Sequence, residues 1–157
     1  TDAQRLKSFR SWQSITPPKN NPINPRKDHP MVAYNFKAQF APDVAAGRKR
    51  QTIRSPRKND GHAKRGDKLQ LYTGMRTKDC RLLREAVCHD SCPILIEEDK
   101  IWTFHPQELH TDLEGWAKRD GFSSWADMKA FFEGQYGLPF NGVLISWLVP
   151  AAERQSS

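Results

Sequence analysis

Lys49, Thr52 and Arg54 stand together in the run Gly47-Arg48-Lys49-Arg50-Gln51-Thr52-Ile53-Arg54. In an extended segment Thr52 and Arg54 share one face, and Ile53 points the other way, into a core. A hydroxyl and a guanidinium then lie side by side, with an amine just before them. One chemistry that fits is an anion or nucleotide cradle. Another is nucleophilic catalysis, because a partly desolvated lysine loses its proton more readily and activates a neighbouring hydroxyl or water. A basic edge strand with an ordinary threonine fits the same spacing. Farther along, Asp120 precedes Gly121-Phe122. It ends a helix, makes an Asx-turn, or faces a pocket as an acid or base.

Other reactive side chains have simpler readings. Cys80, Cys88, His89 and Cys92 fall close together, and His105 and His110 follow. The paired C-x2-C spacing of a structural zinc site is missing, which favours free thiols over a metal site. Trp116 and Trp125 have the chemistry to stack a base, but at helical spacing they read as core. Gly66-Asp67 reads as a structural turn capped by Asp67.

The elements that must position these groups follow from pattern. Val32 to Phe40 reads as a strand carrying Tyr34, Phe36 and Phe40. Ala41 to Ala46 suits a short helix, with Pro42 in its first turn and Gly47 as its stop. Gln51 to Arg54 is a short extended piece, and Ser55 to Arg65 a polar, basic loop. Lys68 to Tyr72 alternates as a strand does. Leu82 to Cys88 is expected as a further strand. Pro93 to Ile96 and Lys100 to Phe104 are expected to form a hairpin. A helix is expected from Asp112 to Arg119. A second begins at Ser123 or Ser124, carries Trp125, Met128 and Phe132 on one face, and ends at Gly134 and Gly137. Leu138 to Val149 closes the chain as a strand. Short strands with a late helix pair predict a small α+β domain on a barrel-like sheet.

Composition narrows the class. The chain has 157 residues, enough for one domain with tails. Sixteen aromatic residues are too many for a wholly disordered chain. No apolar run approaches the roughly 20 residues of a membrane span. The odd cysteine count and the want of an apolar leader favour a reducing, cytoplasmic setting. Residues 1–30 read as a Pro-rich basic tail, 31–150 as the domain and 151–157 as a C-terminal tail. Met31, where the Pro-rich stretch ends, is a candidate start of the functional protein. The alternative is a genuine basic arm that helps to hold nucleic acid. Oligomeric state leaves no signature.

Residues 48–68 carry nine basic and two acidic side chains, a net +7 equal to that of the whole chain. Such a cluster draws phosphate-bearing partners, and a solvated loop is its bland alternative. Arg48, Arg50, Arg54, Arg57, Lys58, Lys64 and Arg65 are the candidate substrate- or RNA-binding residues.

From about Tyr34 to Trp147 the chain resembles the ASCH domain family. Phe36 and Phe40 carry the likeness, together with the G-x-K-x-x-T-I-R signature of Gly47, Lys49, Thr52, Ile53 and Arg54. Gly66-Asp67 with Leu69 and Leu71, the segment from Asp120-Gly121-Phe122 to Met128, and Gly142-Val143-Leu144-Ile145 complete it. The resemblance implies a PUA-like β-barrel with flanking helices. It implies action on nucleosides or RNA, in the first place an amidohydrolase that removes the acetyl group of N4-acetylcytidine without metal or cofactor. Lys49, Thr52 and Asp120 are then the catalytic residues. Asp120 stands where the small hydrolases of the family have Glu. An RNA-binding module or a ribonuclease using the same cleft is the alternative, and a protein-interaction domain stands behind both.

Overall fold

The computed structural model describes residues 30–149. The expected tails, apart from Pro30, lie outside the described residues. Twelve short segments of regular structure build an α+β fold around one seven-stranded sheet. No helix among the described residues is long and apolar enough to cross a membrane.

Strand β1 (Met31–Phe36) buries Tyr34 and Phe36 by alternation. It stops earlier than its aromatic pattern predicts. Ala38–Phe40 forms a 3-10 turn that leads directly into helix α1 (Ala41–Ala46), so Phe40 is buried from a turn and not from a strand. Strand β2 (Gln51–Arg54) follows, and then a loop with one 3-10 turn at Lys58–Asp60. Strand β3 (Lys68–Thr73) inserts Leu69 and Leu71 fully into the core. It runs parallel to β1, with Tyr34 opposite Leu71 and Phe36 opposite Thr73. Parallel neighbours need a crossover connection. Here the crossover carries α1, β2 and the basic loop, so the signature segment lies inside it.

The two pieces expected at 82–88 and 93–96 are one strand, β4 (Arg81–Ile96). The polar stretch Cys88–Cys92 and Pro93 hide its continuity in the sequence. β4 is the spine of the sheet. Its first half pairs β3, its last residues pair β5 (Ile101–Thr103), and its other edge pairs β7 (Phe140–Leu148). The register shifts between Cys88 and Asp90, a bulge of the kind that bends a long strand. β6 (Glu108–His110) pairs β5 and has no expectation in the sequence.

Helix α2 (Leu113–Arg119) is capped by Asp112, whose carboxylate accepts from the Gly115 N–H. Helix α3 (Trp125–Tyr136) is capped by Ser124, whose hydroxyl accepts from the Asp127 N–H. Gly134 sits inside α3, and Gly137 alone ends it. Met128 and Phe132 are buried as their spacing predicts. Trp116 is core, and Trp125 is half-buried.

The expected barrel is not closed by strand pairing. β2 pairs only β7, and β1 pairs only β3. The remaining gap between β1 and β2 is spanned by side chains. Arg54 Nη2 donates to the Asn35 carbonyl at 2.7 Å, and Arg57 Nη2 to the Ala33 carbonyl at 3.4 Å.

Candidate functional site

Lys49 reaches the interior because of how α1 ends. Gly47 takes a left-handed conformation, with φ of 81°. The Asp43 carbonyl then accepts from the N–H groups of both Arg48 and Lys49, at 2.9 and 3.0 Å. This turn sends the Lys49 side chain inward, where the residue is only 3% exposed. Its Nζ donates to the backbone carbonyl of Asp120 and lies 3.3 Å from Asp120 Oδ1. The ammonium also stands 5.0 Å from the Phe40 ring and 5.9 Å from the Phe36 ring.

Asp120 arrives from the end of α2. Its N–H donates to the Trp116 carbonyl at 3.0 Å, closing the helix. Gly121 then turns the chain with φ of 93°. A Cβ on Gly121 would lie 3.0 Å from Lys49 Cδ and from Phe40 Cδ1, so glycine makes room for the lysine as well as the turn. Gln51 Nε2 donates to Asp120 Oδ1 at 3.5 Å. Asp120 therefore ends its helix, as one reading expects, and places its carboxyl group against Lys49.

Thr52 and Arg54 lie on the other face of β2, as alternation predicts. Thr52 is buried opposite Ile145, and Arg54 lies opposite Val143. Arg54 Nε donates to Thr52 Oγ1 at 2.9 Å. A hydroxyl that accepts from arginine keeps its own proton free to give away. The guanidinium lies 4.8 Å above the Phe36 ring and 5.4 Å from the Tyr34 ring. The Phe36 ring is thus shared, with Lys49 and Arg54 both against it. Lys49 is directed to Asp120 and Thr52 receives from Arg54; no hydrogen bond joins Lys49 to Thr52 among the described residues.

Burial dominates the electrostatics. It pushes the Lys49 amine down from its ordinary value, against the pull of Asp120. It pushes the Asp120 carboxyl up, against the pull of Lys49. Burial thus works against the charged form of each group, and their mutual attraction works for it. Arg54 is also lowered by burial.

The other expected binding residues do not converge on this place. Arg48 is paired with Asp43 at 2.8 Å. Lys64 is paired with Asp60 at 2.9 Å. Arg57 lies over Tyr34 and, with Lys64 and Arg65, lines a cleft of about 830 Å3 that Lys49, Thr52 and Asp120 do not line. Arg50, Lys58 and Arg65 are exposed. The basic loop is anchored by a contact the sequence does not announce. The Tyr34 hydroxyl accepts from the Ala63 N–H at 2.9 Å and donates to His62 Nδ1 at 3.1 Å. His62 Nε2 donates to the Ser55 carbonyl at 2.7 Å. Burial lowers the His62 pKa, in keeping with a neutral ring in these roles.

Phe36, Phe40, Gln51 and Gly121 thus belong to the site beside the expected residues. Gln51 was findable, because it follows Lys49 by two and falls on its face of the strand. Among the cysteines, Cys88 is buried and its thiol is pushed up to about 12, chiefly by burial, whereas metal ligation needs the thiolate.

No family model, curated protein or solved structure matches the chain.

Proposed function

We propose that this chain is an ASCH-type domain of PUA-like architecture that hydrolyses an N-acyl group from a cytidine-type nucleoside, with N4-acetylcytidine as the model substrate. The observation that carries this reading is the buried Lys49–Asp120 pair beside the Thr52–Arg54 pair. An amide hydrolase needs a nucleophile, a base to take its proton and an acid to protonate the leaving amine. Either Thr52 Oγ1 attacks the acyl carbon, and water then cleaves the resulting ester to free the acid and restore the hydroxyl, or Thr52 orients a water that attacks directly. Lys49, its pKa lowered by burial, acts as the base that takes the proton or as an electrostatic partner to the developing charge. Asp120, biased toward its protonated form, supplies one to the exocyclic nitrogen as the C–N bond breaks. Arg54 holds the threonine hydroxyl in place. The exposed free thiol of Cys80 suits a reducing, cytoplasmic setting.

The test is turnover of N4-acetylcytidine to cytidine by the purified protein. Lys49→Ala and Thr52→Ala are each expected to lose about a hundredfold or more, the usual scale of general acid–base catalysis. Unchanged turnover in both variants overturns the reading.

The exposure of Arg50, Lys58 and Arg65 favours a second reading, in which the domain binds RNA, with or without cleaving it. Those side chains would contact the phosphate backbone, and the affinity would fall steeply with salt.

A further inference from the structure

Helix α3 runs along the site and ends in an aromatic residue that the proposed chemistry does not use. Near its middle, Phe131 packs edge-on against Phe40, the ring beside the Lys49 ammonium. At its end, Phe132, Phe140 and Tyr136 form a cluster of three nearly parallel rings, with Phe132 and Tyr136 6.3 Å apart at 25°. Phe132 and Phe140 lie 5.6 Å apart at 24°, and Phe140 and Tyr136 lie 4.3 Å apart at 14°. The first two rings are buried, whereas Tyr136 is 49% exposed. The cluster also lies near β2, across Gly142. A Cβ on Gly142 would lie 2.7 Å from Phe140 Cε1 and 2.8 Å from the Arg54 carbonyl, so the missing side chain makes room for the Phe140 ring and for β2 at Arg54 on either hand. A flat ring is therefore held from beneath by a packed neighbour, half in water, beside the residue that orients Thr52. Of the sequence's two candidates for such a role, Trp116 is buried and packed against His110, and Trp125 is half-buried against the core.

We propose that Tyr136 is the stacking platform of this site and that it receives the planar base of a pyrimidine nucleoside. The identity of the ligand rests on the proposed function; the platform itself rests on the stacking of half-exposed Tyr136 on buried Phe140. Every base offers a π-face, and an aromatic side chain already fixed in orientation loses little freedom on stacking.

The experiment measures cytidine binding by equilibrium dialysis, using the full chain and the variants Tyr136→Phe, Tyr136→Leu and Tyr136→Ala. Tyr136→Leu keeps an apolar cover over Phe140 while removing the flat ring, so it separates stacking from folding. Tyr136→Phe is expected to bind within twofold of the wild type. Tyr136→Leu and Tyr136→Ala are expected to bind at least about fivefold more weakly, the lower end of what base–aromatic stacking supplies. In N4-acetylcytidine turnover, Tyr136→Leu should raise KM more than it lowers kcat. Binding by Tyr136→Leu within twofold of wild type overturns the platform. So does a Tyr136→Phe protein as weak as Tyr136→Ala, because the hydroxyl would then matter and not the ring. A wild type that binds neither cytidine nor N4-acetylcytidine overturns it too. Ring-dependent cytidine binding without any turnover supports the platform and removes the hydrolase.

Discussion

Lys49 and Asp120 hold each other in a place where either alone is costly. Replacing Lys49 by Met strands a carboxyl group in the interior, which is expected to cost about 3–5 kcal/mol in urea denaturation. The double variant Lys49→Met/Asp120→Leu is expected to recover most of that loss, because apolar pairs of similar size often match a buried ion pair. The pair also predicts a pH dependence whose sign can be worked out. Asp120 has its pKa raised above 3.8, so its contribution to stability is present below that value and is lost as pH rises through the raised pKa. Lys49 has its pKa lowered below 10.5, so its contribution is present above that value and is lost as pH falls through the lowered pKa. The stability of the wild type relative to the double variant should therefore be lowest at intermediate pH and rise toward both ends. A flat difference would mean that burial does not disfavour the charged pair. At this scale the sequence was informative in part. The spacing of Lys49, Thr52 and Arg54 showed that they could act together. Asp120 lies 71 residues from Lys49, and no local pattern joins them. Only the family resemblance suggested the pair.

The elements were legible where one face is buried and the other wet. Leu69 and Leu71 gave β3, and the Ser124 cap gave the start of α3. β4 was read as two pieces because it is half-buried through its polar middle and carries Pro93, which has no N–H to give to a ladder. β6 has three residues and too little pattern to read. Two positions test how elements hold the site. Tyr34→Phe removes the hydroxyl that ties Ala63 and His62 to β1, and is expected to cost about 1–3 kcal/mol. Limited proteolysis should then cut first between residues 55 and 65, and cleavage elsewhere would deny the anchor. Gly121→Ala places a methyl group against Lys49 and Phe40 at a positive φ. It is expected to cost about 1–3 kcal/mol and to depress turnover by displacing the lysine. Full activity in a protein of lowered stability would show that Lys49 tolerates the shift.

Across the whole molecule, the basic stretch is less concentrated than its sequence suggests, because Asp43, an acid outside it, holds Arg48. The pairing with Asp43 was hidden, since that acid precedes the stretch. If RNA is the partner, replacing Arg50, Lys58 and Arg65 together by Ala should lower the slope of log affinity against log salt by about 2. Arg48→Ala should change it less. A slope unaltered by the triple change would move the contact elsewhere. The α+β class was readable from the alternation of short strands with a late helix pair. Closure of the sheet was not, because β1 is joined to β2 by the Arg54 guanidinium and to the loop after β2 by that of Arg57, and not by a ladder. Guanidinium chloride puts that same ion into solution. It competes for the carbonyls of Asn35 and Ala33 in addition to solvating the chain, whereas urea carries no charge. Amide exchange in β1 and β2 should therefore quicken in dilute guanidinium chloride while urea of matched strength, with sodium chloride added, leaves it slow. The contrast between two ordinary denaturants thereby becomes a gauge of a single joint.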